Sequence, residues 1–200
     1  MNLPNKLTVG RICLVPLLVL IWIFPYAQFG LSIPSIKIGG VTGVSLSVLN
    51  LVVLAIFAIA SITDAVDGYL ARKNNQITTF GKFADPIADK MLVNTVFIML
   101  VARGTVPVVP VLLMVARDTI VDGCRLIAMS NGVVVAAGFL GKLKTVLQMV
   151  TIVMVLLNNL PFELYRIPMT DLLLWFTVFI SLASGLSYFN QLKEYIFESK

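Results

Sequence analysis

Histidine is absent from all 200 residues of the chain. Without it there can be no Ser-His-Asp hydrolysis, no His-ligated zinc and no histidine nucleophile of the phospholipase D kind. Any chemistry has to run on carboxylates, metals, hydroxyls, lysine and arginine. Cysteine is almost as scarce: Cys13 and Cys124 are the only two, and both lie in apolar segments. They form no C-x-x-C pair and no disulfide framework, and read as small packing residues. Charge is thin too. Asp, Glu, Lys and Arg make up 12% of the chain, against about 25% in soluble domains. No basic run with interleaved aromatics occurs, so nucleic acid is not an expected partner. Tandem repeats and long polar stretches are also missing.

What fills the chain is apolar: 58% of residues are hydrophobic and the mean hydropathy is +0.96. Several stretches reach the roughly 20 apolar residues needed to cross a bilayer. The expectation is an all-α integral membrane protein, with 1–200 forming a single membrane domain, because a separate soluble domain has no room. Six apolar segments appear, near 9–28, 46–70, 86–104, 107–130, 143–159 and 169–191. The first is led by a short amphipathic N-terminal segment, "MNLPNKLTVGR". It imitates a signal peptide, but "PYAQFG" offers no small-x-small cleavage site, so it reads as a retained first span.

The positive charges divide unevenly between the two ends of the spans. Lys6, Arg11, Arg72, Lys73, Lys82, Lys90, Lys142, Lys144, Lys193 and Lys200 fall on one side, and Lys37, Arg103 and Arg166 on the other. This bias places both termini in the cytoplasm, which suits six transmembrane helices. The net charge of +5 and pI near 9.4 follow from that bias, and would also attract anionic membrane lipids and phosphate substrates.

Against this background, "DAVDGYLARKNNQITTFGKFADPIADK" (64–90) gathers four of the ten acidic residues at one cytoplasmic mouth. Asp64 and Asp67 are spaced i, i+3 at the end of the second segment. Asp85 and Asp89 are spaced i, i+4 at the start of the third. Either spacing places a pair on one helix face, and Asp85-Pro86 reads as an N-cap followed by proline at the first helical position. A bland reading leaves these acids as a cap and solvated loop charges. The sharper one notes that clustered carboxylates at membrane depth are costly and that a divalent metal relieves them. Oxygen-only ligands suit Mg²⁺, Mn²⁺ or Ca²⁺, and four acids suffice for two metals. Gly68, Ala71 and Gly81 flank the acids. They leave room either for a flat group to approach the backbone or for close helix packing.

Asp64-x-x-Asp67-Gly68-x-x-Ala71-Arg72, eight residues, then Gly81-x-x-x-Asp85-x-x-x-Asp89 resembles the signature of the CDP-alcohol phosphotransferase family, with every position filled. The resemblance implies transfer of a phosphatidyl or similar phospho group from a CDP-linked donor to an alcohol, with release of CMP. It implies two divalent cations, Mg²⁺ or Mn²⁺, held by Asp64, Asp67, Asp85 and Asp89, with Asp89 as the general base. It further implies that Gly68, Ala71, Arg72 and Gly81, with Asn5 and Thr8 near the start, contact the CDP-linked donor, and that the protein is a homodimer. "NLPNKLTVGRI", "ARDTIVDGCRLIA" and "GKLKTVLQM" resemble the bacterial branch of that family whose acceptor is glycerol 3-phosphate and whose donor is CDP-diacylglycerol. A bacterial inner or plasma membrane, with the active site facing the cytoplasm, goes with that branch.

The charges inside the fourth segment bear on the acceptor. Arg117 and Arg125 are spaced i, i+8, roughly on one face, and arginines inside an apolar span need partners or an aqueous cavity. Either Asp118 and Asp122 neutralise them, or they grip the phosphate of an acceptor. Lys142 and Lys144 at the cytoplasmic mouth are either topology charges or part of the same pocket. Glycerol 3-phosphate meets this demand, and inositol phosphate would meet the same electrostatics. A sister enzyme using another acceptor, such as phosphatidylglycerol, is the near rival. An ion transporter is the distant one, since a transporter would spread its acids through the midplane.

Overall fold

A computed structural model describes the backbone of residues 3–38, 43–73, 79–130 and 138–197, and the side chains of 8–38, 43–63, 87–129 and 138–193. Six α-helices dominate the described residues: α1 (Leu3–Ile23), α2 (Val48–Lys73), α3 (Thr79–Ala102), α4 (Val108–Ser130), α5 (Phe139–Leu156) and α6 (Met169–Phe197). All six apolar segments are helical over most of their length. The opening segment is not separate from the first span, because α1 runs unbroken from Leu3, with Pro16 inside it.

Local chemistry sets the ends of the helices. Pro25 follows α1 by two residues, and the Tyr26 hydroxyl donates to the Ile21 carbonyl at 2.8 Å, folding the exit back on the helix. After α3, Gly104 adopts φ +69°, where a side chain would be strained. Its N–H donates to the Val101 carbonyl and that of Thr105 to the Leu100 carbonyl, which satisfies the last carbonyls before Pro107 and α4. Between α5 and α6, the buried Asn159 amide donates to Glu163 Oε2 and the Ile167 carbonyl. Its oxygen accepts from Thr170 N and Oγ1.

Two elements depart from the sequence expectation. α3 begins at Thr79, so Asp85 and Pro86 lie inside it and are not its N-cap and first helical residue. The Gly, Ser and Pro-rich connection before α2 contains a two-stranded antiparallel hairpin, β1 (Ser35–Ile38) and β2 (Val44–Ser47), in the register Ser35↔Ser47 to Ile38↔Val44. Val44 and Leu46 point into the protein, whereas Ile36 and Ile38 face outward. Asn158 Nδ2 donates to the Ser45 carbonyl, and the Arg103 guanidinium lies over the Trp22 ring. The hairpin, the α3–α4 turn and the α5–α6 link therefore share one end of the bundle.

The helices associate as two groups around a common core. α1 packs along α2 and α3, while α6 packs along α4 and α5. Val15, Leu18, Val53, Phe57, Leu92, Phe97, Met114, Ile152, Leu174 and Val178 belong to one buried cluster fed by all six helices. The outer surface is apolar as well: Leu20 is 68% exposed, Leu112 63% and Phe179 66%. Exposed apolar side chains on this scale suit a membrane or a partner rather than water. Two of the described helices are long and apolar enough to cross a membrane, Phe139–Leu156 and Met169–Lys193.

Candidate active site

At the end of the bundle opposite the hairpin, α3, α4 and α5 enclose a small cavity of about 40 Å³ lined by Asp89, Lys90, Val93, Asn94, Asp118, Lys144, Thr145 and Gln148. A carboxylate from the third helix thus shares one space with an ammonium from the fifth. The rest of the lining is apolar at Val93 and polar at Asn94, Thr145 and Gln148. Gln148 is 3% exposed, and its amide reaches the Met114 sulfur at 3.6 Å.

The charges around this cavity are held by α4. Asp118 is 5% exposed, and its Oδ1 accepts from Arg117 Nη1 at 2.9 Å and from the Lys144 ammonium. Lys144 is itself 5% exposed. Buried charges of this kind persist only where they are paired. One turn further along α4, Asp122 accepts from Lys90. Arg117 continues the chain of contacts to α6, with Nε donating to the Ser181 carbonyl at 2.9 Å and Nη2 to Ser184 Oγ at 2.7 Å.

Tyr188 of α6 organises the other arginine. Its hydroxyl accepts from Arg125 Nη2 at 2.7 Å and from the Gly138 N–H at 2.9 Å, at the start of α5. Its ring lies 4.6 Å from the Arg125 guanidinium carbon and 5.8 Å from that of Arg117, within cation–π range. The i, i+8 pair does share a face, and that face looks at α6. Beside it lies a second cavity, of about 260 Å³, lined by Phe139, Gly141, Ser184, Ser187, Tyr188 and Gln191 among others.

The sequence-predicted residues therefore fall into three groups. Asp89 and Lys144 meet in one cavity, and Arg117 joins them through Asp118. Arg125 stands apart on Tyr188, and Lys142 is exposed on the flank of α5. Thr8 is buried on α1. Asp64, Asp67, Gly68, Ala71 and Arg72 lie on α2 and Gly81 and Asp85 on α3, while Asn5 is on α1. The side chains of these eight lie outside the described residues. Among the described residues no cluster of three or more His, Cys, Asp or Glu forms. α2 is continuous through 64–67 and α3 through 85–89, so the spacings are helical spacings, and the four acids provide an oxygen-only donor set. That chemistry fits hard divalent cations.

The sequence reading passed over Lys90, Asn94, Gln148 and Tyr188. Arg11 is another surprise: it counts by sequence as a charge beside the span, yet it is 1% exposed and ranks among the largest fully buried side chains. Amphipathic spacing gave a signal for Gln148, which lies one turn from Lys144 and shares its face. Nothing local marks Tyr188.

Comparison with known proteins adds to this geometry. A family model described as CDP-alcohol phosphatidyltransferase matches residues 1–183. A Bacillus subtilis (strain 168) protein named CDP-diacylglycerol–glycerol-3-phosphate 3-phosphatidyltransferase is 43% identical over 190 residues, covering 95% of this chain and 94% of the relative. Proteins of the same name from Rickettsia bellii (strain RML369-C) and Rickettsia typhi (strain ATCC VR-144 / Wilmington) are 36% and 37% identical over 195 residues. They cover 97% of this chain and 97% and 98% of their own lengths.

Proposed function

The chain belongs to the CDP-alcohol phosphatidyltransferase family, and from that premise we propose that it carries out the reaction its relatives are named for. It is a CDP-diacylglycerol–glycerol-3-phosphate 3-phosphatidyltransferase of phospholipid biosynthesis. The phosphatidyl group passes from CDP-diacylglycerol to glycerol 3-phosphate, giving phosphatidylglycerophosphate and CMP. Among the structural observations, the sharing of one cavity by Asp89 and Lys144 supports this reading best. A carboxylate beside an ammonium suits a substrate that offers a hydroxyl at one end and a phosphate at the other.

In this reading the primary hydroxyl of glycerol 3-phosphate loses its proton to Asp89. Its oxygen bonds to the phosphorus that bears diacylglycerol, and the bond from that phosphorus to the CMP oxygen breaks. Lys144, with Arg117, Arg125 and Lys142 as the surrounding basic set, draws the acceptor phosphate and holds the hydroxyl toward Asp89. Positioning of this kind supplies much of the barrier reduction in such displacements. Asp64, Asp67, Asp85 and Asp89 would hold two divalent cations, Mg²⁺ or Mn²⁺, which polarise phosphate oxygens and offset charge on the departing CMP. Gly68, Ala71, Arg72 and Gly81, with Asn5 and Thr8, would receive the CDP end of the donor. Its acyl chains stay among the membrane lipids.

The placement in the cell belongs to the same proposal. All six helices cross a bacterial inner or plasma membrane as one domain, with both termini and the active site facing the cytoplasm, and the protein works as a homodimer. Lys37, Arg103 and Arg166 all fall at the hairpin end of the bundle, which supports that end as the outward one. The test is product analysis with purified protein, CDP-diacylglycerol and a panel of alcohols: glycerol 3-phosphate, glycerol, inositol phosphate and phosphatidylglycerol. CMP release with glycerol 3-phosphate alone supports the assignment. Preference for another alcohol moves the protein to a sister activity.

A further inference from the structure

The three cations nearest Asp89's cavity are not held alike. Each nitrogen of Arg117 already has a protein acceptor: Nε the Ser181 carbonyl, Nη1 Asp118 and Nη2 Ser184 Oγ. Three of its five N–H donors are engaged in this way, two of them on α6, and Arg117 does not line the cavity. Lys144 differs. An ammonium has three N–H donors, and among the described residues Asp118 is its one hydrogen-bond partner. Its side chain lines the cavity that Asp89 also lines. Lys90 lines that cavity as well, but its partner Asp122 is 41% exposed at the side chain, so their pair is of the weak, solvent-screened kind.

Asp118 is the joint of this arrangement. A single oxygen, Oδ1, receives both Arg117 and Lys144. Two cations on one carboxylate leave the triad with a net charge of +1, buried where such a charge is costly unless an anion answers it. Lysine also carries its ammonium on a flexible four-carbon stem, so that ammonium is fixed only as well as its counterion is. Here the counterion is fixed on both sides. The adjacent Arg117 pins it, and Arg117 is wedged against Gly185, where a Cβ would come within 3.0 Å of Arg117 Cγ.

We propose that Asp118 is a positioning residue, which presents the Lys144 ammonium to the cavity it shares with Asp89, while Arg117 serves as the clamp on Asp118 and does not itself contact the substrate. The anion that answers the triad is the phosphate of the acceptor, and in that respect the inference rests on the function proposed above. It divides the basic set, with Lys144 touching the acceptor and Arg117 acting through Asp118.

The direction of the effect separates positioning from simple electrostatics. Asp118→Asn removes a negative charge near an anionic substrate. If bulk field were what mattered, the acceptor would bind more tightly. If position matters, it binds less tightly although the site has become more positive.

The experiment is steady-state kinetics of the purified protein, with glycerol 3-phosphate and CDP-diacylglycerol varied separately. Asp118→Asn and Lys144→Ala are each expected to raise the KM for glycerol 3-phosphate about tenfold. The KM for CDP-diacylglycerol should stay within about twofold. Combining the two substitutions should do no more than Lys144→Ala alone, because Asp118 acts through that side chain. Asp118→Glu, which keeps the charge, should recover part of the loss. Arg117→Lys keeps both charges, loses the fork and is a milder change should Asp118→Asn fail to fold. It should raise the same KM about threefold. An unchanged or lowered KM in Asp118→Asn, or in Arg117→Lys where the first does not fold, overturns the proposal, as do effects of Asp118→Asn and Lys144→Ala that multiply. If Lys144→Ala leaves the KM unmoved, the assignment of Lys144 to the acceptor falls first and takes this inference with it. If Lys144→Ala raises the KM and Asp118→Asn does not, only the positioning role is lost.

Discussion

Gly185 makes room for Arg117: a methyl group there would lie 3.0 Å from Arg117 Cγ and 3.2 Å from its Nε. Glycine inside a helix usually costs about 1 kcal/mol relative to alanine, so the gap it leaves on α6 has a use. Gly185→Leu should force the guanidinium away from the Ser181 carbonyl and Ser184 Oγ. Each buried donor left without a partner costs about 1–3 kcal/mol. The expected outcome is a clearly lower melting temperature in detergent, with a raised KM for glycerol 3-phosphate. An unchanged melting temperature and KM would show that Arg117 has another resting place.

Tyr188 offers a finer test, because one atom can be removed. Tyr188→Phe keeps the ring beneath both guanidiniums but deletes the hydroxyl that accepts from Arg125 Nη2 and Gly138 N. Stability should fall by about 1–3 kcal/mol, and Tyr188→Ala should fall further because the cation–π contacts go as well. Denaturant or thermal unfolding of the three proteins side by side checks the order. Equal stability of the Tyr and Phe forms would rule out a role for the hydroxyl bonds.

The helices were legible in the sequence because length and hydropathy are local properties. The segment expected at 46–70 is the helix Val48–Lys73, and the one expected at 107–130 is Val108–Ser130. The hairpin escaped because its strands are four residues each, too short for a period-two pattern to stand out. Charge pairing was only half legible. Asp118 does neutralise Arg117, its neighbour on the same helix, but it also takes Lys144 from α5. Asp122 turns to Lys90 on α3 and leaves Arg125 to Tyr188. Those partners are 26, 32 and 63 residues away in the chain, and no spacing rule reaches so far. The four-Asp motif is the reverse case. Its spacing is plain in the sequence, while three of its four side chains lie outside the described residues.

Metal dependence follows from the donor set. Activity should vanish in excess EDTA and return on adding Mg²⁺ or Mn²⁺. Asp64→Asn should abolish turnover while the protein still elutes as a folded species in detergent. Full activity in the presence of chelator would remove the metals from the account.

Asp89→Asn is isosteric and removes the proton acceptor. Turnover should drop by about two to four decades, the usual range for a positioned base, while CDP-diacylglycerol binding persists. Binding and kcat are to be measured on one preparation. Turnover within a few-fold of the unmodified protein would mean that the proton goes elsewhere.

The central claim is the identity of the reaction, and CMP release read against two acceptors tests it most directly. Purified protein with CDP-diacylglycerol and Mg²⁺ should release CMP and form phosphatidylglycerophosphate when glycerol 3-phosphate is supplied, and should do so far more slowly with glycerol, which has the hydroxyl but lacks the phosphate. Equal rates with the two alcohols, or CMP release that ignores both, would contradict the account.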